Sequence, residues 1–463
     1  MTLRIANAAG FWGDSLAAPI RLLEETEVDF LTLEYLAELT MSILAAQRRK
    51  DPQRGYAHDF VTVMADIARF LKTQPSLRVI SNAGGLNPLA CARAVSTEMC
   101  AAGLPDLAVG VVAGDDLLDR IAELQQRGAR FENLDTAQPL SDVKAEIVSA
   151  NAYLGAEPIA RALESDARVV ISGRVADASL TVAPAVHQFH WDWQDWDRLA
   201  AASVAGHVIE CGAQATGGYT TDWRRYQLGN IGYPIAELNQ NGETVITKSS
   251  ASGGAVNRHT VAEQLVYEIG DPSCYVTPDV QVDFTTIELA ELADDRVAVR
   301  GATGRAAPEE YKVSLAFADG YAAAGQLLVY GDDCIVKARV AAELIFQRLK
   351  RDGVEPQRTG TELLGAGDAV PGLHRPPEGL REVVLRISVH DPNREVVERF
   401  TRELAPLITS GPAGLAGYAE GRPHVRPVYA YWPTTVPKEM VAAQVTVRRA
   451  DEWARGESGA QES

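Results

Sequence analysis

Short β-branched runs that stop at Gly, with Asn or Asp nearby, recur along the first 225 or so residues, and each is followed by a stretch of helical spacing. The pattern predicts strands at Leu3 to Ala8, Asp29 to Leu33, Leu77 to Asn82, Leu107 to Val112, Glu146 to Asn151, Arg168 to Ser172 and His207 to Cys211. Their spacing suits strand-helix-strand units. Uninterrupted apolar runs such as Val109-Gly110-Val111-Val112 and Val169-Val170-Ile171 suit strands buried on both faces. The expectation is an α/β protein with a largely parallel N-terminal layer, either open and doubly wound or barrel-like. Asn87-Pro88 supports the phase, a capping residue before a proline at the first helical position, with Gly103 as the stop. Gly114-Asp115 and Asp177-Ala178 read as similar helix starts.

From about Pro234 the texture changes to alternating polar segments, including Arg296 to Arg300, Tyr311 to Ala316 and Gln326 to Tyr330, then a helical run from Ile335 to Lys350. The expected organisation is a parallel α/β domain over 1–225 that carries the site, an α+β region over 226–352, a Gly/Pro-rich linker over 353–379, a small α/β unit over 380–450 and a flexible tail over 451–463.

Charge narrows the functional classes. Across 463 residues, 44 Lys and Arg stand against 62 Asp and Glu, a formal charge of −18. An acidic chain lacks the basic stripe that draws in phosphate backbones or anionic lipid, so neither nucleic acid nor membrane is expected as a partner. There is no apolar window long enough to span a bilayer, and Met1-Thr2-Leu3-Arg4 runs into a strand without a signal-peptide pattern, so a cytoplasmic placement is expected. The five cysteines, Cys91, Cys100, Cys211, Cys274 and Cys334, form no close pair, and most read as small buried hydrophobes, with Cys211 a nucleophile only if its pKa is lowered.

Ligands of parallel α/β proteins bind where strand C-termini meet loops and helix N-termini, so the loops after the strands hold the candidate chemistry. In Asn7-Ala8-Ala9-Gly10-Phe11-Trp12-Gly13-Asp14, Asp14 either caps a helix starting near Leu16 or hydrogen-bonds a substrate that approaches the backbone at Gly10 and Gly13. Ser81-Asn82-Ala83-Gly84-Gly85-Leu86-Asn87-Pro88 is either a tight turn or a nest of amides for an anion, with Asn82, Gly84, Gly85 and Asn87 as the binding residues. Ser172-Gly173-Arg174-Val175-Ala176-Asp177 sets a guanidinium and a carboxylate three apart; Arg174 either grips a substrate carboxylate or pairs with Asp177, which then caps the next helix. In His207 to Gly218, Glu210 at a strand end is either a base whose pKa burial has raised or a solvated carboxylate, and Gln214 is a binding candidate. On an extended segment His207 and Glu210 point to opposite faces and do not act together.

Gly-x-Gly-x-x-Gly and the Walker lysine are absent, so there is no nucleotide-binding fingerprint. The eight histidines, His374 among them, make no His-x-x-x-His or His-Glu-x-x-His spacing. The cofactor is left unassigned, with carboxylate-held Mg²⁺ or Mn²⁺ open because such sites have no sequence signature. His187 and His190 precede Trp191, Trp193 and Trp196, an aromatic patch expected at a surface or interface, as is Tyr431-Trp432-Pro433.

Gly10-Phe11-Trp12-Gly13-Asp14, Glu34-Tyr35-Leu36-Ala37-Glu38 with Met41-Ser42-Ile43-Leu44, Asn82 to Pro88, Ala150 to Gly155, Ser172 to Asp177 and Tyr431-Trp432-Pro433 together resemble the acyclic terpene utilisation (AtuA) family. The resemblance covers nearly the whole chain. It implies bacterial catabolism through branched acyl-CoA intermediates, with a lyase or hydratase step on a carboxylated substrate, and it transfers no catalytic residues. The expected function is therefore lyase or hydratase/dehydratase chemistry through an enolate next to a carboxylate or thioester, with Glu210, Asp177 and Asp14 as catalytic candidates. The alternatives are a partner-dependent subunit of a two-component enzyme and a divalent-metal-dependent hydrolase. The expected partners are a small-molecule carboxylate or acyl-CoA, a small companion protein in the second reading, and further copies of the chain.

Overall fold

The computed structural model describes residues 1–373, 375–417 and 421–456. His374 and residues 457–463 of the expected tail lie outside the described residues. The chain forms two compact units, one of residues 1–143, 147–316 and 431–463, the other of 144–146 and 317–430.

In the first unit β1 (Thr2–Asn7), α1 (Ala18–Glu25), β2 (Phe30–Leu33), α2 (Glu38–Lys50), α3 (His58–Thr73), β3 (Arg78–Ser81), α4 (Pro88–Ala101), β4 (Ala108–Ala113), α5 (Ile121–Gln126), β5 (Ile147–Ala152), α6 (Glu157–Glu164), β6 (Val169–Ser172), α7 (Ser179–Phe189), α8 (Trp196–Glu210), β7 (Ile235–Asn239) and β8 (Thr244–Thr247) follow in chain order. The sheet is open and ten-stranded, and at its centre β1, β2, β3, β6 and β4 lie side by side in that order, all parallel. Antiparallel strands flank this core: β7 beside β1, with Ile5 opposite Ala236, and Gln444–Arg449 beside β4, with Val445 opposite Val112. The parallel strands read as apolar runs because they are covered on both faces. Leu31, Leu33, Val79, Val109, Val111 and Ile171 pack with Leu22, Phe60, Met64, Ile67, Val95 and Met99 of α1, α3 and α4 in one core. Full burial of a side chain such as Phe60 or Met64 stabilises the fold by roughly 2 kcal/mol before the entropy of ordering is counted.

Two expected strands behave differently. β5 leaves the parallel layer and pairs with the long strand Glu310–Tyr330. The segment His207 to Cys211 is not a strand: it closes the helix α8. Ala200, Ala201, Ala202 and Ala205 favour the helix, and a short apolar run such as Val208-Ile209 has no period of its own with which to resist it. α8 is buried along most of its length, and Gly206 lets it approach the start of α7, since a Cβ there would sit 2.8 Å from the Ala178 Cα. At the far end of the chain Ala450–Arg455 is helical with Trp453 buried, which replaces the first residues of the expected tail with ordered structure.

The second unit is a small antiparallel sheet in the order Arg358–Leu364, Glu382–Asp391, Glu310–Tyr330, Leu415–Ala416, where the third strand enters from the first unit along the chain. Its core joins Leu327, Val329, Leu385 and Ile387 to Ile345, Leu349 and Phe400 of the helices Cys334–Arg351 and Arg394–Thr401. The Gly/Pro-rich stretch 353–379 thus contributes a full strand paired along its length, with Thr361 opposite Ile387.

Candidate functional site

Each of the five parallel strands ends in a buried polar residue. Asn7 closes β1, Glu34 follows β2, Asn82 follows β3, and Arg174 and Asp115 lie two residues past β6 and β4. Burying such groups is costly unless they bond one another. Here they do, along the C-terminal edge of the sheet.

Asn82 donates from Nδ2 to Glu34 Oε1 and accepts from Tyr35 N at 2.9 Å. Glu34 Oε1 also accepts from Leu36 N at 2.8 Å. Burial, followed by the charge of Asp177, holds the Glu34 carboxyl well above the usual carboxylate range. Arg174 has 2% of its side chain exposed; its Nη1 donates to Leu36 O at 2.9 Å and Asp177 Oδ1 at 3.0 Å and lies 3.9 Å from Glu34 Oε1. Its guanidinium carbon stands 4.1 Å from the Tyr153 ring centroid. Its backbone N–H donates to Asp115 Oδ2 at 2.8 Å, and Asn151 Nδ2 donates to the same oxygen at 2.8 Å. Asp115 is nonetheless raised to about 7 by burial. Gly173 admits this contact, because a Cβ would meet Asp115 Oδ1 at 2.2 Å.

Asp177 is partly open to solvent. Its side chain is 36% exposed, yet the surrounding protein still raises its pKa, first by burial and then against the pull of Arg174. Next to it the Tyr153 hydroxyl donates to Glu38 Oε1 at 2.7 Å, and Lys312 Nζ reaches the same oxygen at 3.2 Å. Burial works against ionisation of Glu38, but the Tyr153 hydrogen bond and the charges of Lys312 and Arg174 prevail and hold it at about 2.

The other wall comes from the C-terminus of α8, where Asn7 Nδ2 caps the helix by donating to Ile209 O and Glu210 O at 2.8 and 2.9 Å. One turn of helix brings His207 and Glu210 to the same face, with Nδ1 to Oε1 at 3.0 Å, which corrects the extended reading that set them apart. His207 Nε2 lies 3.0 Å from Gln264 O, and a carbonyl only accepts, so Nε2 carries hydrogen. The Nδ1 to Oε1 contact then needs one further proton, held by the histidine or by the acid. Burial raises Glu210 to about 7, opposed by His207 and reinforced by the charge of Asp177. His207 is raised as well: burial lowers it, but its bond to Glu210 prevails.

Buried polar atoms without a hydrogen-bond partner gather here: Glu34 Oε2, Arg174 Nε, Asn151 Oδ1, Glu210 Oε2 and Gln264 Oε1. Orphaned atoms at the end of a parallel sheet, where polar groups are otherwise paired, mark the place a ligand would fill.

The glycine loops serve a different purpose from the expected nest. The amides of Gly85, Leu86 and Asn87 are bonded to the carbonyls of Asn82, Gly55 and Gly84 and are not available to an anion. Gly84 is required for close packing, since its Cβ would lie 2.5 Å from Ser172 O. Asn87 caps α4, accepting from Ala90 N, and donates to Pro52 O and Arg54 O. Asp14 caps nothing, because α1 starts at Ala18; it accepts from Gly10 N at 2.9 Å and from the Tyr233 hydroxyl at 2.6 Å and shapes the loop beside α8. Gly10 lets that loop touch the helix end, as a Cβ would lie 2.7 Å from Cys211 C and Gly212 N; Gly13, at φ +107°, only turns the loop. Nor does Asp177 cap α7, since its side chain is drawn to Arg174. Gln214 lies beyond Glu210 in the short turn Gly212–Thr216, beside Tyr267. Burial pushes the Cys211 thiol up to about 12. Trp191 and Trp432, expected at surfaces, are buried and donate to Gln240 O and Phe131 O, both at 3.0 Å. Among the described residues no group of three or more His, Cys, Asp and Glu side chains is placed to hold a metal ion.

The structure therefore joins Arg174, Asp177, Asn82 and Glu210, and adds Glu34, Glu38, Tyr153, His207 and Lys312. Glu34 had a local signal, a carboxylate directly after the apolar run Phe30 to Leu33. Lys312 had none, as only the pairing of Tyr153 N with Lys312 O, at 2.8 Å, brings it here.

No helix among the described residues is long and apolar enough to cross a membrane. Comparison with curated proteins returns no match. The family model described as acyclic terpene utilisation family protein AtuA matches residues 3–447, nearly the whole length, and the chain therefore belongs to the acyclic terpene utilisation (AtuA) family.

Proposed function

We propose that this chain is an enzyme of carboxylic acid or acyl-CoA metabolism, a lyase or hydratase/dehydratase that works through an enolate next to a carboxylate or thioester carbonyl. One observation carries the reading: Glu210 Oε1 lies 3.0 Å from His207 Nδ1, burial raises the acid to about 7, and its second oxygen, Oε2, is buried without a partner. With the proton of that contact on His207, Glu210 is a carboxylate whose free oxygen accepts a proton. The C–H bond next to the substrate carbonyl breaks, its proton passes to Glu210 Oε2, and its electron pair moves to the carbonyl oxygen as an enolate. The fixed charges of Arg174 and Lys312 favour that negative oxygen. Asp177, on the open side of Arg174, takes up a proton from solvent and hands it to a departing hydroxyl or alkoxide.

The test is exchange of α-hydrogens for deuterium, followed by NMR on the purified protein with a panel of CoA thioesters and hydroxy acids. The wild type should exchange at least one of them, and Glu210→Gln should slow that exchange by about a thousandfold with the fold intact. Equal exchange in wild type, Glu210→Gln and Asp177→Asn would sink the reading.

A further inference from the structure

Arg174, His207 and Lys312 are the basic side chains of the cluster, and two of them are closed to a ligand. Arg174 is 2% exposed, with Nη1 bonded to Leu36 O and Asp177 and its plane against Tyr153. His207 is 2% exposed, and both of its nitrogens are engaged by Glu210 and Gln264. Lys312 is the open one, with 46% of its side chain exposed.

We propose that Lys312, set between Tyr153 and Tyr431, is the anchor for a carboxylate group of the substrate. The proposal rests on the reading that the substrate is a carboxylic acid or its thioester, and it moves the anchoring role from Arg174 to Lys312. Lys312 Nζ lies 3.2 Å from Glu38 Oε1, 4.7 Å from the Tyr153 ring centroid and 6.0 Å from that of Tyr431. An ammonium has three donors. Glu38 takes one and the Tyr431 hydroxyl draws on a second, which leaves the third for a ligand, while the Tyr153 ring presents its π face to the charge. The anchor is held from behind. Tyr153 bonds the Lys312 backbone through its N–H and Glu38 through its hydroxyl, so one residue places both the cation and its counterion. Asp177, whose own ionisation Lys312 favours, is bound to Arg174 and does not neutralise Lys312. Lysine suits this place because it is a flexible point charge that accepts a second carboxylate without giving up the first.

The experiment compares binding of butyrate, glutarate and the neutral isostere butyramide to the full-length protein by calorimetry. The wild type should bind the carboxylates in preference to butyramide. Lys312→Met should weaken carboxylate binding about tenfold or more while leaving butyramide unchanged, and Lys312→Arg should restore most of the preference. A preference that survives in Lys312→Met, or no preference in the wild type, overturns the anchor. Deuterium exchange lost in Glu210→Gln alongside an unaltered carboxylate preference in Lys312→Met would leave the enolate chemistry standing and remove only this proposal.

Discussion

Glu210 and His207 stand one helical turn apart with 3.0 Å between Oε1 and Nδ1, while the other imidazole nitrogen is fixed by the Gln264 carbonyl. That arrangement makes Glu210 sensitive to its neighbour, because the hydrogen bond and charge of His207 pull its pKa down against burial. The activity should therefore rise with pH along a limb near 7, as Glu210 becomes a base. In His207→Phe, which keeps a ring against Tyr275 and Phe284, the downward pull is gone and the limb should move to higher pH. The pH dependence of kcat/KM decides this; an unmoved limb would assign it to another group.

Arg174 is the one guanidinium between Asp177 and the buried Glu34. Arg174→Met leaves Asp177 without its closest counter-charge and should cost about 3 kcal/mol or more of stability as well as activity. Arg174→Lys should not rescue it, since an ammonium cannot stack on Tyr153 and bond Leu36 O and Asp177 with the same planar geometry. Denaturant unfolding of both variants measures the loss, and a Lys variant as stable as wild type would show that charge alone suffices.

Asp115 links pH to stability. Its folded pKa, raised to about 7, exceeds that of an unfolded aspartate near 4, so the protonated form is favoured by folding. Its contribution is fully present at acid pH below the unfolded value and is lost as pH rises toward and through 7. Melting temperature should thus fall between pH 5 and pH 8 in the wild type, and Asp115→Asn, which still accepts from Arg174 N, should flatten part of that slope. A slope identical in the two proteins would locate the pH dependence elsewhere, with Glu210 the next group to test.

Gly10 touches the end of α8 so closely that Gly10→Ala must push the loop away from Cys211 and Gly212. Both partners are backbone, so the strain has no flexible side chain to absorb it. The expected cost is about 1–3 kcal/mol, with loss of turnover as Glu210 shifts. Gly13→Ala, with only Phe11 near its Cβ, strains φ but not the helix end, and should keep more activity at a comparable melting temperature. Matching activity losses would argue against the contact as the cause.

The residue pattern alone carried the parallel layer. Runs such as Val109 to Val112 and Val169 to Ile171 are apolar without alternation because both faces are covered, and that is a local property. Asn87-Pro88 likewise capped its helix, since capping involves only a few neighbouring residues. The same local reading marked Arg174, Asp177 and Glu210, because charged residues after apolar runs collect at strand and helix ends. It could not decide which strands neighbour which, so β5 was placed in the wrong sheet and the closure of the layer stayed open. It reads His207 to Cys211 as extended, and a period of two splits His207 from Glu210; the packing of α8 through Gly206 decides otherwise. Glu38 and Lys312 meet across 274 residues, Arg174 and Leu36 across 138, and such contacts leave no trace in local periodicity. Side-chain alternation is set by each segment's own burial, whereas the site is made of groups that only chain reversal and sheet register bring within hydrogen-bonding distance.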